Sequence, residues 1–283
     1  MIKGFKKLIH KIAPPILIDM ARPIYTPKRA IQPRQQEIDE LNRLSLLPKG
    51  ISERARMPVA DFQITDPQSF VEVYRDYFFR RKFEFKIQSS SPTIIDCGAN
   101  VGVSVLYWKS LYPGCRVIAF EPDPQAFTAL ESNCRDFTGI ELRNSAVWVA
   151  KGRIGFSAVG SDGGHLSNLT QRESPVPKLK VTAERLKDFL SEPVDMLKID
   201  IEGAEVEVLD DCCDVLKNVR YMFVEFHSFE RRPQKLGSFF SIIENAGFRI
   251  HIHTDMPSAH PFLNREVHNE KDLRLNCFCS RIG

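Results

Sequence analysis

Two periodicities divide this chain of 283 residues. From Pro92 onward, short runs rich in β-branched and aromatic residues (93–97, 116–121, 140–149, 178–182, 194–201 and 221–227) have the character of strands. Between them, apolar residues recur every three or four positions, the helical spacing. Helices are predicted over 102–112, from Pro124 to Cys134, over 183–191, from Glu202-Gly203 to Leu216, and over 236–246. Pro113-Gly114 stops the first, and Gly247 is placed as a C-cap of the last. This βα alternation predicts a doubly wound, mostly parallel sheet. Two final runs, near 248–254 and 275–281, predict an antiparallel hairpin at its edge. Gly152 through Leu169 predicts a hairpin insertion with a glycine-rich tip ending at His165, a residue suited either to closing over a substrate or to an exposed loop.

Ahead of this region the pattern changes. Residues 14–60 carry seven prolines and many charges and predict an extended arm with short helices. Asp66-Pro67 is a helix start, Asp at the N-cap and Pro in the first turn. It is followed by a stripe, Phe70, Val73, Tyr74, Tyr77 and Phe78, that packs on the sheet and in part roofs the site. Residues 2–12 place Ile2, Phe5, Leu8, Ile9 and Ile12 on one helical face and Lys3, Lys6, Lys7, His10 and Lys11 on the other; Pro14-Pro15 ends it. Such a helix suits an anionic membrane surface or docking on protein. It lacks the long apolar core of a signal peptide, and no run reaches the ~18 apolar residues of a membrane span. The expected organisation is a basic helix and arm over 1–60 and an α/β body over 61–283.

Charge sharpens that division. The net charge of +3 hides eight Lys/Arg against Asp19 alone in residues 1–34, a local +7, so the remainder carries 3 − 7 = −4. An acidic body argues against nucleic acid as its partner. The seven cysteines include no C-x-x-C pair and read as reduced, buried thiols of a cytoplasmic protein, not zinc ligands.

The chemistry gathers at predicted strand ends. Asp96-Cys97-Gly98-Ala99-Asn100-Val101-Gly102 lies where the first core strand turns into a helix, and its glycines permit a sharp turn and close approach to a ligand. Glu121 ends the next strand, placed to accept the hydroxyls of a ribose. Dinucleotide sites carry G-x-G-x-x-G and receive a pyrophosphate. Here an acid, Asp96, precedes only two glycines; it would repel a pyrophosphate and suit a cation, such as the sulfonium of S-adenosylmethionine. A nicotinamide-dependent oxidoreductase is therefore disfavoured. Asn100 serves either as a left-handed turn residue or as a cofactor contact.

Together with Phe120-Glu121-Pro122, Leu197-Lys198-Ile199-Asp200-Ile201-Glu202-Gly203-Ala204-Glu205 and Val224-Glu225-Phe226-His227, this loop resembles the FkbM family of S-adenosylmethionine-dependent methyltransferases over roughly residues 67–255. The resemblance implies a class I methyltransferase fold and O-methylation of a hydroxyl, on a sugar of a glycan, glycolipid or polysaccharide precursor, or on a polyketide or peptide product. It implies that Asp96, Gly98 and Asn100, with Ala99 and Gly102 of the same loop, line the methionine end of the cofactor. Glu121-Pro122 would then lie at the ribose, and Asn144, Ser145 and Ala146 near the adenine. A non-catalytic cofactor-binding module in glycan assembly is the alternative outside enzymes.

Transfer to an alcohol gains from a base near the hydroxyl proton. Asp200 and Glu202 follow one strand, and Glu225 and His227 end the next. Asp200 or His227 is expected to take the proton, His227 because imidazole titrates near neutrality, with Glu202 and Glu225 positioning the acceptor. The plain alternative is a Lys198–carboxylate pair and a core histidine. Asp200, Glu202 and His227 have donor types that suit Mg²⁺, although the family pattern does not call for a metal.

Overall fold

The computed structural model describes residues 33–157, 165–166, 178–254, 260, 262–263, 267–268 and 270–281. The expected amphipathic helix over 2–12 and the tip at 158–164 lie outside them. The compact body starts at Arg34, earlier than the expected 61. Its first elements are α1 (Gln35–Ser45), β1 (Glu53–Met57) and β2 (Ala60–Ile64). They join the body because Leu41, Leu44, Ala55, Met57, Phe62 and Ile64 are apolar, fully enclosed and continuous with the main core; burial of this kind is what holds a segment to a domain. Asn133 ties β2 down further: its Oδ1 accepts from Gln63 N–H at 2.7 Å, and its Nδ2 donates to Gln63 O at 2.9 Å and Val101 O at 2.8 Å.

α2 (Pro67–Tyr74) starts as the sequence indicates, with the Asp66 carboxylate accepting from Gln68 and Ser69 N–H. It runs on into a single π turn, Arg75–Phe79, closed by Arg80 N–H to Arg75 O at 2.9 Å. Then come β3 (Thr93–Cys97), α3 (Val103–Leu111), β4 (Arg116–Phe120), α4 (Pro124–Cys134), β5 (Ile140–Arg143) and β6 (Ser145–Trp148). The expected single strand over 140–149 is thus two. Asn144 breaks it by donating from Nδ2 to Glu121 O at 2.9 Å, which turns the chain out of the main sheet.

β7 (Gly152–Ser157) and β8 (His165–Leu166) form the expected hairpin, and β9 (Lys178–Arg185) pairs beside them. The helix expected over 183–191 is instead the end of β9 and one 3₁₀ turn, Leu186–Phe189. Glu184 and Arg185 are held as strand residues by Ser145, Arg143 and Asp211. After β10 (Val194–Ile199), α5 (Glu205–Asp211) is shorter than expected because Glu202 and Gly203 have φ of +60° and +105°, outside any helix. β11 (Val219–Phe229), α6 (Leu236–Asn245), β12 (Arg249–Thr254) and β13 (Lys271–Ser280) complete the chain.

Seven strands form the main sheet in the order β12-β13-β11-β10-β3-β4-β5. β11 through β5 are parallel, and β13 is antiparallel to both β11 and β12. This is the Rossmann-like sheet of a class I methyltransferase. β12 and β13 form the expected antiparallel hairpin at the sheet edge, with β12 outermost and β13 beside β11. A second sheet, β6-β9-β7-β8, flanks it. One apolar core covers the face under α2 and α3, and another the face under α5 and α6. Strand order reverses between β3 and β10, where doubly wound sheets open a crevice at their carboxyl ends. Six of the seven cysteines are buried as expected, whereas Cys213 is exposed; all seven are free. Among the described residues, no helix is long and apolar enough to cross a membrane.

Candidate active site

The crevice is an actual cavity. Gly98, Ala99 and Asn100 border it from the loop after β3, and Glu121 and Pro122 from the end of β4. Ser145 and Ala146 enclose it from β6, Asp200 and Glu202 from the loop after β10, and Glu225 from β11. Phe70, Val73 and Tyr77 form part of its roof, as the stripe predicts.

The loop after β3 is built for close approach. Gly98 and Gly102 both have φ of +89°, and a Cβ at Gly98 would lie 1.9 Å from the carbonyl oxygen of Asp200. Only glycine lets the two strand ends meet. Asn100 is a turn residue with φ of +49°, its Oδ1 accepting from Val101 N–H at 2.7 Å, and it also borders the cavity. Its own N–H donates to Glu121 Oε2 at 2.8 Å, and Asp123 N–H donates to Glu121 Oε1 at 2.8 Å. These two bonds aim a carboxylate that keeps further acceptor capacity for a ligand. Burial raises the Glu121 pKa to about 7, against the two N–H donors that lower it.

Asp96 differs from expectation. It is completely buried beneath the loop and does not border the cavity. Its Oδ2 accepts from Ser104 Oγ and its Oδ1 lies 3.2 Å from Lys198 Nζ. Lys198 in turn donates to Gly98 O at 2.8 Å and stands 3.5 Å from Asp200. Burial works against its charge, but Asp96 and Asp200 raise the Lys198 pKa well above the usual value, so Lys198 neutralises most of Asp96's field. Asn144 and Gly102 likewise shape the walls without bordering the cavity, and Ser145 Oγ is occupied by Glu184 at 2.7 Å.

Asp200, Glu202, Glu225 and His227 come together as the sequence indicates, but not as equals. Asp200 is half-buried at the cavity wall; burial first, and then the Glu225 charge, raise its pKa to about 6. His227 lies behind the wall, its side chain fully enclosed and absent from the cavity surface. Its Nδ1 lies 3.1 Å from Glu205 Oε1 and its Nε2 3.1 Å from Glu225 Oε1. Burial alone would lower its pKa, yet Glu202, Glu205 and Glu225 raise it well above the usual histidine range. Shifted upward by its acidic neighbours and set behind the wall, His227 is less well placed than Asp200 to take a proton from a group in the cavity. Glu205, buried at the start of α5, also accepts from Gly203 N–H at 2.8 Å and so braces the left-handed turn at Glu202.

Asp200, Glu202 and His227 are the group of described residues whose donor atoms, within 4.8 Å of one another, could hold a metal ion. Each is already engaged. Lys271 bonds to Glu202, Lys198 stands by Asp200, and Glu205 and Glu225 enclose His227. A divalent ion would have to displace an ammonium group, so the arrangement fits cations of the chain better than a metal.

Sequence reasoning missed Phe156 of the second sheet, Phe223 on β11, and Arg274, Asn276 and Phe278 on β13, all of which border the cavity. No local motif marks them. The alternation along β13 places 274, 276 and 278 on one face, but only the strand's insertion beside β11 turns that face toward the site.

Residues 96–250 match the model of the methyltransferase FkbM domain, more than half of the chain. The chain belongs to the FkbM methyltransferase family. The matched span contains the glycine loop, Glu121 and the acidic end of β10. This FkbM-family methyltransferase is 26% identical over 186 residues to the 2-O-methyltransferase NoeI of Sinorhizobium fredii, covering 59% of this chain and 74% of that protein. It is 28% identical over 138 residues to the hexuronic acid methyltransferase AglP of Haloferax volcanii, covering 47% of this chain but only 55% of AglP. A crystal structure of methyltransferase FkbM from Methylobacillus flagellatus superposes with a TM-score of 0.48 at 14% identity, covering 86% of this chain and 59% of that one.

Proposed function

We infer that this methyltransferase uses S-adenosylmethionine to methylate a hydroxyl of a sugar, within a glycan, glycolipid or polysaccharide precursor. Glu121 would receive the ribose hydroxyls, the Gly98–Asn100 backbone the methionine end, and Ala146 with Phe156 the adenine. The fit rests on this chain's own features: a cradle that a Cβ at Gly98 would fill, and an aimed carboxylate with spare acceptor capacity. Under the glycine loop and around the acceptor end, Asp96, Asp200, Glu202, Glu205 and Glu225 face Lys198, Lys271, Arg274 and His227. Five carboxylates against four cations leave one negative charge in excess, which favours a cationic donor. When bound, S-adenosylmethionine supplies an activated methyl group ready for in-line displacement.

The residues supply the rest. Asp200 is the base, and this assignment carries the reading: a carboxylate at the cavity wall with a pKa of about 6 is ionised at neutral pH yet basic enough to take a proton. Lys198 holds Asp200 in place, and His227 and Lys271 hold Glu225 and Glu202. Glu202, Glu225, Arg274 and Asn276 present several donors and acceptors, while Phe223 and Phe278 add flat apolar surface. Polar groups interleaved with aromatic faces suit a ring bearing hydroxyls on its rim and C–H groups on its faces. The name of AglP, a hexuronic acid methyltransferase, points the same way, and that of NoeI, a 2-O-methyltransferase, points to transfer to oxygen.

The test incubates purified protein and S-adenosylmethionine with panels of mono- and oligosaccharides, neutral and uronic, and follows S-adenosylhomocysteine release and product mass. A mass gain of one methyl on a sugar hydroxyl, abolished in Asp200→Asn, is expected. Transfer only to amines or carboxyl groups would overturn the reading.

A further inference from the structure

Tyr77 is a buried hydroxyl without a function in what precedes. It is 3% exposed, and among the described residues its oxygen has no hydrogen-bond partner. Leaving a buried polar atom unpaired is costly, and native proteins do so mainly where a ligand or mechanism requires it. The ring itself is firmly held: it stacks on Phe83 with centroids 4.0 Å apart and meets Tyr107 and Trp108 edge-on at 5.4 and 6.0 Å. The residue sits at the centre of the π turn that follows α2, a wound-out turn of the kind that recurs at functional sites. Tyr77 also borders the cavity.

Its ring packs between Tyr107 of α3, the helix that follows the glycine loop, and Phe83, which meets Phe223 of β11 edge-on at 4.8 Å; the charges of Lys198, Asp96, Asp200 and Glu225 act on it. Asp96 and Lys198 lie under the glycine loop, the floor of the cofactor site; Asp200 and Glu225 form the acceptor wall. A ring packed between α3 and the Phe83–Phe223 pair, and bordering the cavity, stands at the boundary between the two. That boundary is where a methyl group must pass. Burial keeps the phenol protonated, so the oxygen is neutral and offers lone pairs.

We propose that Tyr77 is a catalytic residue whose hydroxyl oxygen contacts the sulfonium methyl of S-adenosylmethionine, accepting weak C–H···O bonds from it and aligning it toward the acceptor hydroxyl whose proton Asp200 takes. This rests on the cofactor placement given under Proposed function. The contact distinguishes the two forms of the cofactor. A methyl on cationic sulfur carries polarised C–H bonds; the demethylated product, S-adenosylhomocysteine, has no methyl and no charge there.

The experiment is calorimetric titration of wild type and Tyr77→Phe with S-adenosylmethionine and with S-adenosylhomocysteine, beside thermal melts of the free proteins. Phenylalanine keeps the ring and its stacking, and deletes an oxygen without a partner. The free variant is therefore expected to melt at or above the wild-type temperature. Affinity for S-adenosylmethionine should fall roughly three- to fivefold, the scale of such contacts, while that for S-adenosylhomocysteine stays within twofold. Equal losses for both ligands, or no loss for either, would overturn the proposal and leave the cofactor reading intact. A lower melting temperature of the free variant would also count against it, since it would reveal an internal partner for the hydroxyl. Wild-type protein that binds neither ligand would overturn both readings together.

Discussion

Replacing Gly98 by alanine would put a methyl group where the Asp200 carbonyl already is. The added Cβ would lie 1.9 Å from that oxygen and 3.1 Å from its carbon. Carbon–oxygen contacts settle no closer than about 3.3 Å, so the ends of β3 and β10 must separate by about 1.4 Å. Both partners are backbone, and no side chain can swing aside. The separation strains Asp200 N–H to Cys97 O at 3.1 Å and Lys198 Nζ to Gly98 O at 2.8 Å. Each such bond contributes about 0.5–1.5 kcal/mol net. The φ of +89° adds a further penalty of about 1–2 kcal/mol for a residue with a Cβ. The expected loss is roughly 2–5 kcal/mol, or roughly 5–20 °C in melting temperature for a body of this size. Scanning calorimetry measures the first effect, and titration with S-adenosylhomocysteine should show affinity reduced at least tenfold. Gly237→Ala is the control: its Cβ meets nothing within 4 Å and lies in α6, so it should be neutral or stabilise by up to about 1 kcal/mol. A Gly98→Ala protein that melts within 2 °C of wild type (roughly the response to 1 kcal/mol) and binds the product normally would refute the close-approach argument.

Other outcomes follow from the same geometry. Asp200→Asn should retain S-adenosylhomocysteine binding and lose roughly 10²–10⁴-fold in turnover; wild-type turnover should climb as pH rises through about 6, because the base must shed its proton, and level off above. Glu121→Gln should weaken S-adenosylhomocysteine binding about tenfold, and wild-type binding should weaken as pH falls below about 7, where the carboxylate becomes protonated and a poorer acceptor. His227→Ala should destabilise the fold by roughly 3–5 kcal/mol, since it strands Glu202, Glu205 and Glu225 without their shared cation; chemical denaturation showing less than 1 kcal/mol would return His227 to candidacy as a base. Asn133→Ala should cost about 2–3 kcal/mol by orphaning Gln63 N–H and the Val101 carbonyl, and should loosen the glycine loop enough for limited proteolysis to report it.

The parallel sheet was legible because its strands are apolar runs punctuated by glycine and proline, and both motif loops fall at strand ends. Local propensity failed where distant partners intervene. Nothing near residue 144 announces that its amide will bond to Glu121 and divide a strand, and nothing near 184 announces that Ser145 and Arg143 will hold it extended. Leu41 and Phe62 sit in a proline-rich stretch whose composition suggests an arm, yet their burial makes it part of the core. In the site, residue types were readable and charge states were not. The sequence shows a histidine near three acids; only the packing shows all three around one imidazole, raising its pKa and leaving Asp200 as the member of this cluster with a pKa of about 6 at the cavity wall.

The placement of β13 between β11 and β12 has a bearing on how the protein matures on the ribosome. The floor of the donor site, from β3 to β4, emerges more than 150 residues before Lys271, Arg274 and Asn276 are made. A nascent or clipped chain that ends before Lys271 would hold the glycine loop, Glu121 and the acids Asp200, Glu202 and Glu225, and would lack Lys271, Arg274 and Asn276. The acidic wall of the crevice is thus made before the cations that face it, and those cations arrive only when β13 pairs beside β11.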